Sequence, residues 1–160
     1  MPSDAEILER VERAFAECPR PEHFTNYQHC CECAEHNDTL RTKDAATLSM
    51  EDVGYPSWDP VCFLTAEGFL YYFPALARLA LEEPGKLGWY GDQFLFHLLS
   101  DGRRNRRIMA CSAEQRRSVV ELLTHIVETR AALADQYDRG HELVRAIEYW
   151  SEEIEEVDAE

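Results

Sequence analysis

Apolar residues recur every three or four positions along most of this chain, and this period restricts its fold more than any other feature of the sequence. The segment after Ser112 displays the pattern well, with apolar side chains at Val119, Leu122, Leu123 and Ile126. Such spacing gathers apolar side chains on one face of an α-helix, and the sequence offers no convincing two-residue alternation of a β-strand. We therefore predict a mainly α protein, a compact helical bundle that forms a single domain over residues 1–160, with an irregular amino-terminal half that carries cysteine and histidine.

Capping residues mark the first turns of two predicted helices. Ser3 with Glu6, and Ser112 with Gln115, match the capping box, in which two side chains satisfy free backbone amides at a helix start. We expect the helix after Ser3 to end near Cys18, because two prolines follow it.

The middle of the chain carries further helix signals. Thr65 is expected to start a helix with a nearly continuous apolar face, which Pro74 should kink or divide. Residues 91–99 are predicted to form another helix, and residues 138–140 a break before the last one. Residues 61–64 are interpreted as a buried extended connector.

The charge balance is strongly acidic. The chain holds 16 lysine and arginine residues against 31 aspartate and glutamate residues, a net charge of −15 with neutral histidine. Such a surface repels phosphate backbones and anionic lipid, so we expect no binding to nucleic acid or membranes, and a basic protein as the partner. Because the sequence has no apolar run of about 18 residues and no signal-peptide pattern at its start, we expect a cytoplasmic protein.

Charge is unevenly distributed at two places. Residues 151–160 form an acidic tail that we expect to be a frayed helix end. Four arginines are expected to form an exposed basic loop: Arg103, Arg104, Arg106 and Arg107. Either segment is also a candidate docking surface.

The most informative segment for chemistry is the run H-C-C-E-C-A-E-H at residues 29–36. In a reducing compartment, clustered cysteines indicate metal binding or redox chemistry more often than structural disulfides. Cys30, Cys33 and His36 stand three residues apart, a spacing that places them along one face of a helix. Since zinc takes four such ligands in a tetrahedron, we predict a structural zinc site formed by Cys30, Cys33, His36 and Cys62.

Other interpretations of this segment stay open. Three further residues compete for the fourth zinc position, namely Cys18, His29 and Cys31. The cysteines also fit a role as small buried apolar residues. Cys30 and Cys33 also fit a redox pair. A catalytic metal site, with Glu32 or Glu35 near the ion, would need an open coordination position.

The histidines and tryptophans outside this segment fit packing roles. His97 lies in an apolar stretch and is expected to be a packed core histidine, whereas His125 and His141 are expected to face solvent from helices. Each is a base for a thiol nucleophile only if the fold brings it to a cysteine. All three tryptophans are expected to anchor the core: Trp58, Trp89 and Trp150.

Two stretches of the sequence resemble a family of small bacterial proteins described only as a domain of unknown function. One reads WDPVCFLTAEGF at residues 58–69 and continues as YYFPAL at residues 71–76. The other reads SAEQRRSVV at residues 112–120. The resemblance implies a small α-rich fold and transfers no catalytic residues.

Together these features favour a non-enzymatic, acidic protein that acts by protein–protein interaction. An immunity-like or antitoxin-like role is one concrete version, because acidic inhibitors suit basic toxins. The alternative is a thiol-based redox sensor, or a metal-dependent enzyme, that uses the cluster of Cys30, Cys33 and His36. Thiol reactivity and metal content distinguish these alternatives.

Overall fold

The computed structural model describes residues 1–154, and every regular element within them is a helix. The α-helices are α1 (Asp4–Phe15), α2 (Cys31–Arg41), α3 (Met50–Val53), α4 (Ala66–Leu81), α5 (Gly91–Leu99), α6 (Arg106–Ala110), α7 (Ala113–Thr129), α8 (Ala131–Gln136) and α9 (Gly140–Ser151). Two short 3₁₀ helices, Pro56–Trp58 and Pro60–Phe63, lie between α3 and α4. The prediction of a mainly α bundle is confirmed.

Both predicted capping boxes are present. The Oγ atom of Ser3 accepts a hydrogen bond from the amide of Glu6 at 3.2 Å, and the Glu6 carboxylate accepts one from the amide of Ser3 at 3.0 Å. Ser112 and Gln115 form the same pair of bonds at the start of α7. Helix α1 ends at Phe15, slightly before the predicted end, and a short turn leads to the prolines.

Helix α4 lies at the centre of the hydrophobic core. It packs against α1, α5 and α6, while α7 packs against α1 and α9. Phe73 of α4 stacks on Phe15 of α1, with ring centroids 4.6 Å apart, and its ring lies 5.8 Å from that of Phe94 in α5. The helical face predicted after Thr65 therefore joins α1 and α5 in one core.

Polar contacts from α4 hold the amino-terminal half in place. The buried hydroxyl of Tyr72 lies 2.8 Å from the carbonyl oxygen of Lys43. Arg78 donates a hydrogen bond to the carbonyl oxygen of Leu48 at 2.8 Å. Backbone groups in an irregular segment need such partners, because they have no regular ladder of their own. These bonds fix the segment that follows α2 against the central helix.

The structure bears on two expectations about the region around α4. Of the two outcomes expected at Pro74, division of the helix does not occur, because α4 runs unbroken from Ala66 to Leu81. Burial of its apolar face on both sides of the proline offsets the one hydrogen bond that proline removes. Residues 60–63 form a 3₁₀ helix rather than an extended connector, because Pro60 suits a helical first position and Asp59 caps the turn.

Burial corrects three expectations about single residues. Trp58 is 44% exposed and does not anchor the core, whereas Trp89 and Trp150 are buried as expected. His125 is buried rather than solvent-facing, because α7 has neighbours on two sides. Arg107 is also buried, since it belongs to α6 and not to an exposed loop.

Ion pairs connect the arginine-rich segment to the start of the acidic tail. Arg103 forms ion pairs with Glu148 and Glu152 of the carboxyl-terminal region. Residues 155–160 of the predicted acidic tail lie outside the described residues. Within residues 1–154, no helix has the length and apolar character needed to cross a bilayer.

Candidate thiol and metal-binding site

The cysteine-rich segment forms the start of α2. Cys30 precedes the helix with extended backbone dihedral angles, and its sulfur accepts a hydrogen bond from the amide of Cys33 at 3.5 Å. A serine or aspartate oxygen usually occupies this capping position. The sulfur atoms of Cys30 and Cys33 lie 3.4 Å apart. The helix start therefore brings the two thiols into contact.

These two thiols differ in exposure and in acidity. Cys30 is exposed, whereas Cys33 is buried. Hydrogen bonds from the amide of Cys33 and from His29 lower the pKa of Cys30 to about 7. Hydrogen bonding to Cys30, together with burial, raises the pKa of Cys33. Cys30 is therefore the more acidic of the two thiols.

His29 completes a group of three side chains at this helix start. Its Nδ1 atom lies 3.7 Å from the sulfur of Cys33. The ligand atoms of His29, Cys30 and Cys33 all lie within 4.8 Å of one another. Thiolate and imidazole are ligands that zinc prefers, and bonds of about 2.0–2.3 Å separate neighbouring ligands by about 3.3–3.8 Å. These three residues could therefore hold a zinc ion.

His36, a predicted zinc ligand, lies apart from this group. Its ring is fully buried and packs against Trp58 and Phe63, with ring centroids 4.4 and 4.7 Å apart. The spacing argument assumed that Cys30 belongs to the helix, but α2 begins one residue later. The structure therefore pairs Cys33 with Cys30 and His29, and places His36 in an aromatic contact.

Cys62, the predicted fourth ligand, belongs to a second group of side chains. Its sulfur and the ligand atoms of Asp59 and His97 lie within 4.8 Å of one another. Asp59 precedes the 3₁₀ helix Pro60–Phe63, Cys62 lies within it, and His97 comes from α5. The four predicted ligands thus lie in three places: Cys30 and Cys33 together, Cys62 with Asp59 and His97, and His36 in its aromatic contact.

The chain matches one known protein family. A family model described as a family of unknown function (DUF6714) matches residues 3–154. The chain belongs to this family. No curated protein and no solved structure matches the chain significantly. Membership agrees with the resemblance found in the sequence and carries no activity with it.

The sequence indicates the group of His29, Cys30 and Cys33 more clearly than the group of Asp59, Cys62 and His97. His29 stands next to the cysteine pair and was a competitor for the zinc site, so adjacency could have identified it. His97 lies 38 residues from Asp59 in the chain, and its apolar surroundings indicated packing. Only the docking of α5 against the 3₁₀ helix brings His97 to Asp59 and Cys62.

Proposed function

We propose that this protein is a thiol-based redox protein in which Cys30 and Cys33 alternate between a dithiol and an intramolecular disulfide. The observation that carries the proposal is the contact of an exposed thiol of lowered pKa with a buried thiol of raised pKa, at a sulfur–sulfur distance of 3.4 Å. Such asymmetry suits a pair with one attacking and one resolving thiol.

The proposed chemistry is thiol–disulfide exchange with a small or protein disulfide. The Cys30 thiolate attacks one sulfur of that disulfide, forms a mixed disulfide and releases the other sulfur as a thiolate that takes up a proton. Cys33 then loses its proton and attacks the Cys30 sulfur, which releases the second thiol. The substrate disulfide is reduced by two electrons, and the Cys30–Cys33 pair is oxidised by two.

Residues around the pair support this division of roles. The amide of Cys33 and the side chain of His29 stabilise the Cys30 thiolate, which faces solvent and an incoming disulfide. Cys33 lies behind it, buried at 6% exposure. A dithiol reaction needs only these two sulfur atoms, whereas a closed zinc site needs four ligands and this group supplies three.

Trapping of the mixed disulfide tests the proposal. In the Cys33→Ser variant, oxidised glutathione should leave glutathione attached to Cys30, because no resolving thiol remains. The Cys30→Ser variant should accumulate far less adduct at Cys33. Cys31→Ser is the matched control, since Cys31 is exposed and adjacent. Peptide mass mapping locates the adducts. As much adduct on Cys31 as on Cys30 in the Cys33→Ser variant, or as much on Cys33 in the Cys30→Ser variant, would contradict the proposal.

Zinc binding by the same group is a second candidate function. The mutual distances of His29, Cys30 and Cys33 favour it, with water or a partner residue in the fourth position. Because Cys62 belongs to a second group of potential ligands, the test uses the Cys62→Ser variant, purified without chelator or affinity metal. It should contain about one zinc per chain, and adding Cys33→Ser should remove it. A metal-free Cys62→Ser protein would remove this candidate and leave the dithiol.

The acidic charge supports a separate proposal that the protein acts through a basic partner, in an immunity-like or antitoxin-like role. The net charge of −15 favours fast, salt-sensitive association with such a partner. Native mass spectrometry of complexes isolated from the source cells tests this role. A stoichiometric basic protein that dissociates at high salt is expected, and a neutral or acidic partner contradicts it.

A further inference from the structure

A second group of potential ligands lies beneath the exposed Cys62. Asp59 is buried before the 3₁₀ helix Pro60–Phe63, and its Oδ1 atom accepts a hydrogen bond from the amide of Val61 at 2.9 Å. Its Oδ2 atom accepts one from Gln93 at 3.0 Å and lies 2.7 Å from Nε2 of His97. The 3₁₀ helix and α5 therefore hold the carboxylate from two parts of the chain.

His97 and Cys62 complete the group. His97 is 1% exposed and lies one helical turn after Gln93 in α5, so the same helix orients both side chains toward Asp59. Cys62 is exposed and stands three residues after Asp59. The carboxylate oxygen, the sulfur and an imidazole nitrogen lie within 4.8 Å of one another. Asp59 and His97 are therefore buried, and Cys62 leaves the group open to solvent.

Several buried polar atoms near this group have no hydrogen-bond partner among the described residues. They are Nδ1 of His97, the hydroxyl of Tyr90 and Nε of Arg107. Burial and the neighbouring charges of Asp59 and Cys62 raise the pKa of Tyr90 well above its ordinary value, which places this hydroxyl in the same neighbourhood. A ligand or ordered water beside these atoms would supply the partners that buried polar groups nearly always have.

The charges of the group suit a divalent cation. Asp59 and a Cys62 thiolate supply two negative charges, and Arg107 supplies one positive charge nearby. The Arg107 guanidinium is held by the carbonyl oxygens of His97 and Val61, each at 3.1 Å, and not by Asp59. The carboxylate is therefore not neutralised by a direct ion pair with that arginine.

A Cys–His–Asp nucleophile is the competing interpretation of the same residues. In such a triad, one ring nitrogen of the histidine contacts the thiol and the other contacts the carboxylate. Here Nε2 of His97 lies 2.7 Å from Asp59, and Nδ1 has no hydrogen-bond partner among residues 1–154. The imidazole therefore does not bridge Cys62 and Asp59 as a triad requires.

We propose that Asp59, Cys62 and His97 form a zinc site, distinct from the Cys30–Cys33 pair, with a solvent molecule in the remaining position. Carboxylate, thiolate and imidazole are all established zinc donors. Binding releases the proton of the Cys62 thiol to solvent and replaces the 2.7 Å contact between Asp59 and His97 with a bond from each side chain to the ion. This site does not depend on redox chemistry at Cys30.

Cobalt binding to the full chain tests the proposal, because Co²⁺ replaces Zn²⁺ and its bands report thiolate coordination. The background is the Cys30→Ser/Cys33→Ser variant, which lacks the thiols of the first group. It should bind one Co²⁺ with a thiolate-to-cobalt charge-transfer band. Adding Cys62→Ser should remove that band and weaken binding at least about tenfold. Cys18→Ser in the same background is the matched control and should change neither.

A second variant keeps the test interpretable if Cys62→Ser does not fold. Asp59→Asn keeps the shape of the side chain and its acceptor for the Val61 amide, and it should also weaken Co²⁺ binding. Circular dichroism checks that each variant is folded. A folded background protein that binds no Co²⁺, or an unchanged band after Cys62→Ser, would overturn the proposal. Glutathione trapping at Cys30 should be unaffected by Cys62→Ser, so the two proposals fail separately.

Discussion

The amide of Cys33 donates a hydrogen bond to the sulfur of Cys30 across 3.5 Å, so the first turn of α2 stabilises the thiolate that precedes it. The same turn places Cys33 behind Cys30, in a buried position. A single helix start thus produces both the reactive thiol and the thiol that can resolve it. The proposed redox chemistry requires that arrangement.

The pH dependence of alkylation should reveal the lowered pKa of Cys30. Since only the thiolate reacts, the rate of iodoacetamide labelling at Cys30 should rise with pH and pass its midpoint near pH 7. Cys33, with a raised pKa, should become reactive only in more alkaline solution. Mass mapping of labelled peptides measures both sites. A Cys30 midpoint close to 9 would show that the helix start does not stabilise the thiolate.

Replacement of His36 separates packing from metal ligation. The His36→Phe variant keeps an aromatic ring between Trp58 and Phe63. It removes two buried nitrogens that have no hydrogen-bond partner among residues 1–154, although Nε2 lies 3.5 Å from the Glu32 carboxylate. We expect the free energy of unfolding to stay the same or rise by up to about 1–3 kcal/mol. Urea denaturation measures it, with His141→Phe as the exposed control. A large loss of stability together with loss of zinc would identify His36 as a ligand.

The contact between Phe73 and Phe15 should carry much of the stability of the core. Phe73→Ala removes a fully buried ring that touches α1 and α5, and we expect a loss of about 3–5 kcal/mol. Phe96→Ala is the matched control, because Phe96 is 61% exposed on α5. Chemical denaturation compares the two. Similar losses for both variants would contradict the assigned core.

Asp4 should make a small contribution to stability that depends on pH. Hydrogen bonds from Arg130 and His125 lower its pKa from 3.8 to about 2. The stabilisation is therefore complete above about pH 4 and disappears as the pH falls through 2. Because the carboxylate is half exposed, Asp4→Asn should cost less than about 1 kcal/mol at pH 7. A cost that persists unchanged at pH 2 would exclude the ionised carboxylate as its source.

Local patterns predicted the helices well because each signal acts within a few residues. The capping boxes at Ser3 and Ser112 and the apolar face after Thr65 needed no knowledge of distant contacts. The candidate site was predicted only in part. The Cys30–Cys33 contact follows from adjacency at a helix start, whereas the grouping of Cys62 with His97 depends on how α5 docks. Exposure of Trp58 likewise reflects tertiary packing, which residue type alone does not determine.

Equilibration of the wild-type protein with mixtures of reduced and oxidised glutathione shows whether Cys30 and Cys33 form a redox pair. Peptide mass mapping after acid quenching follows the state of each cysteine. We expect a two-electron transition to one disulfide that joins Cys30 to Cys33, unchanged in Cys31→Ser. A protein that stays fully reduced in oxidised glutathione, or forms disulfides among its cysteines without preference for this pair, would contradict it.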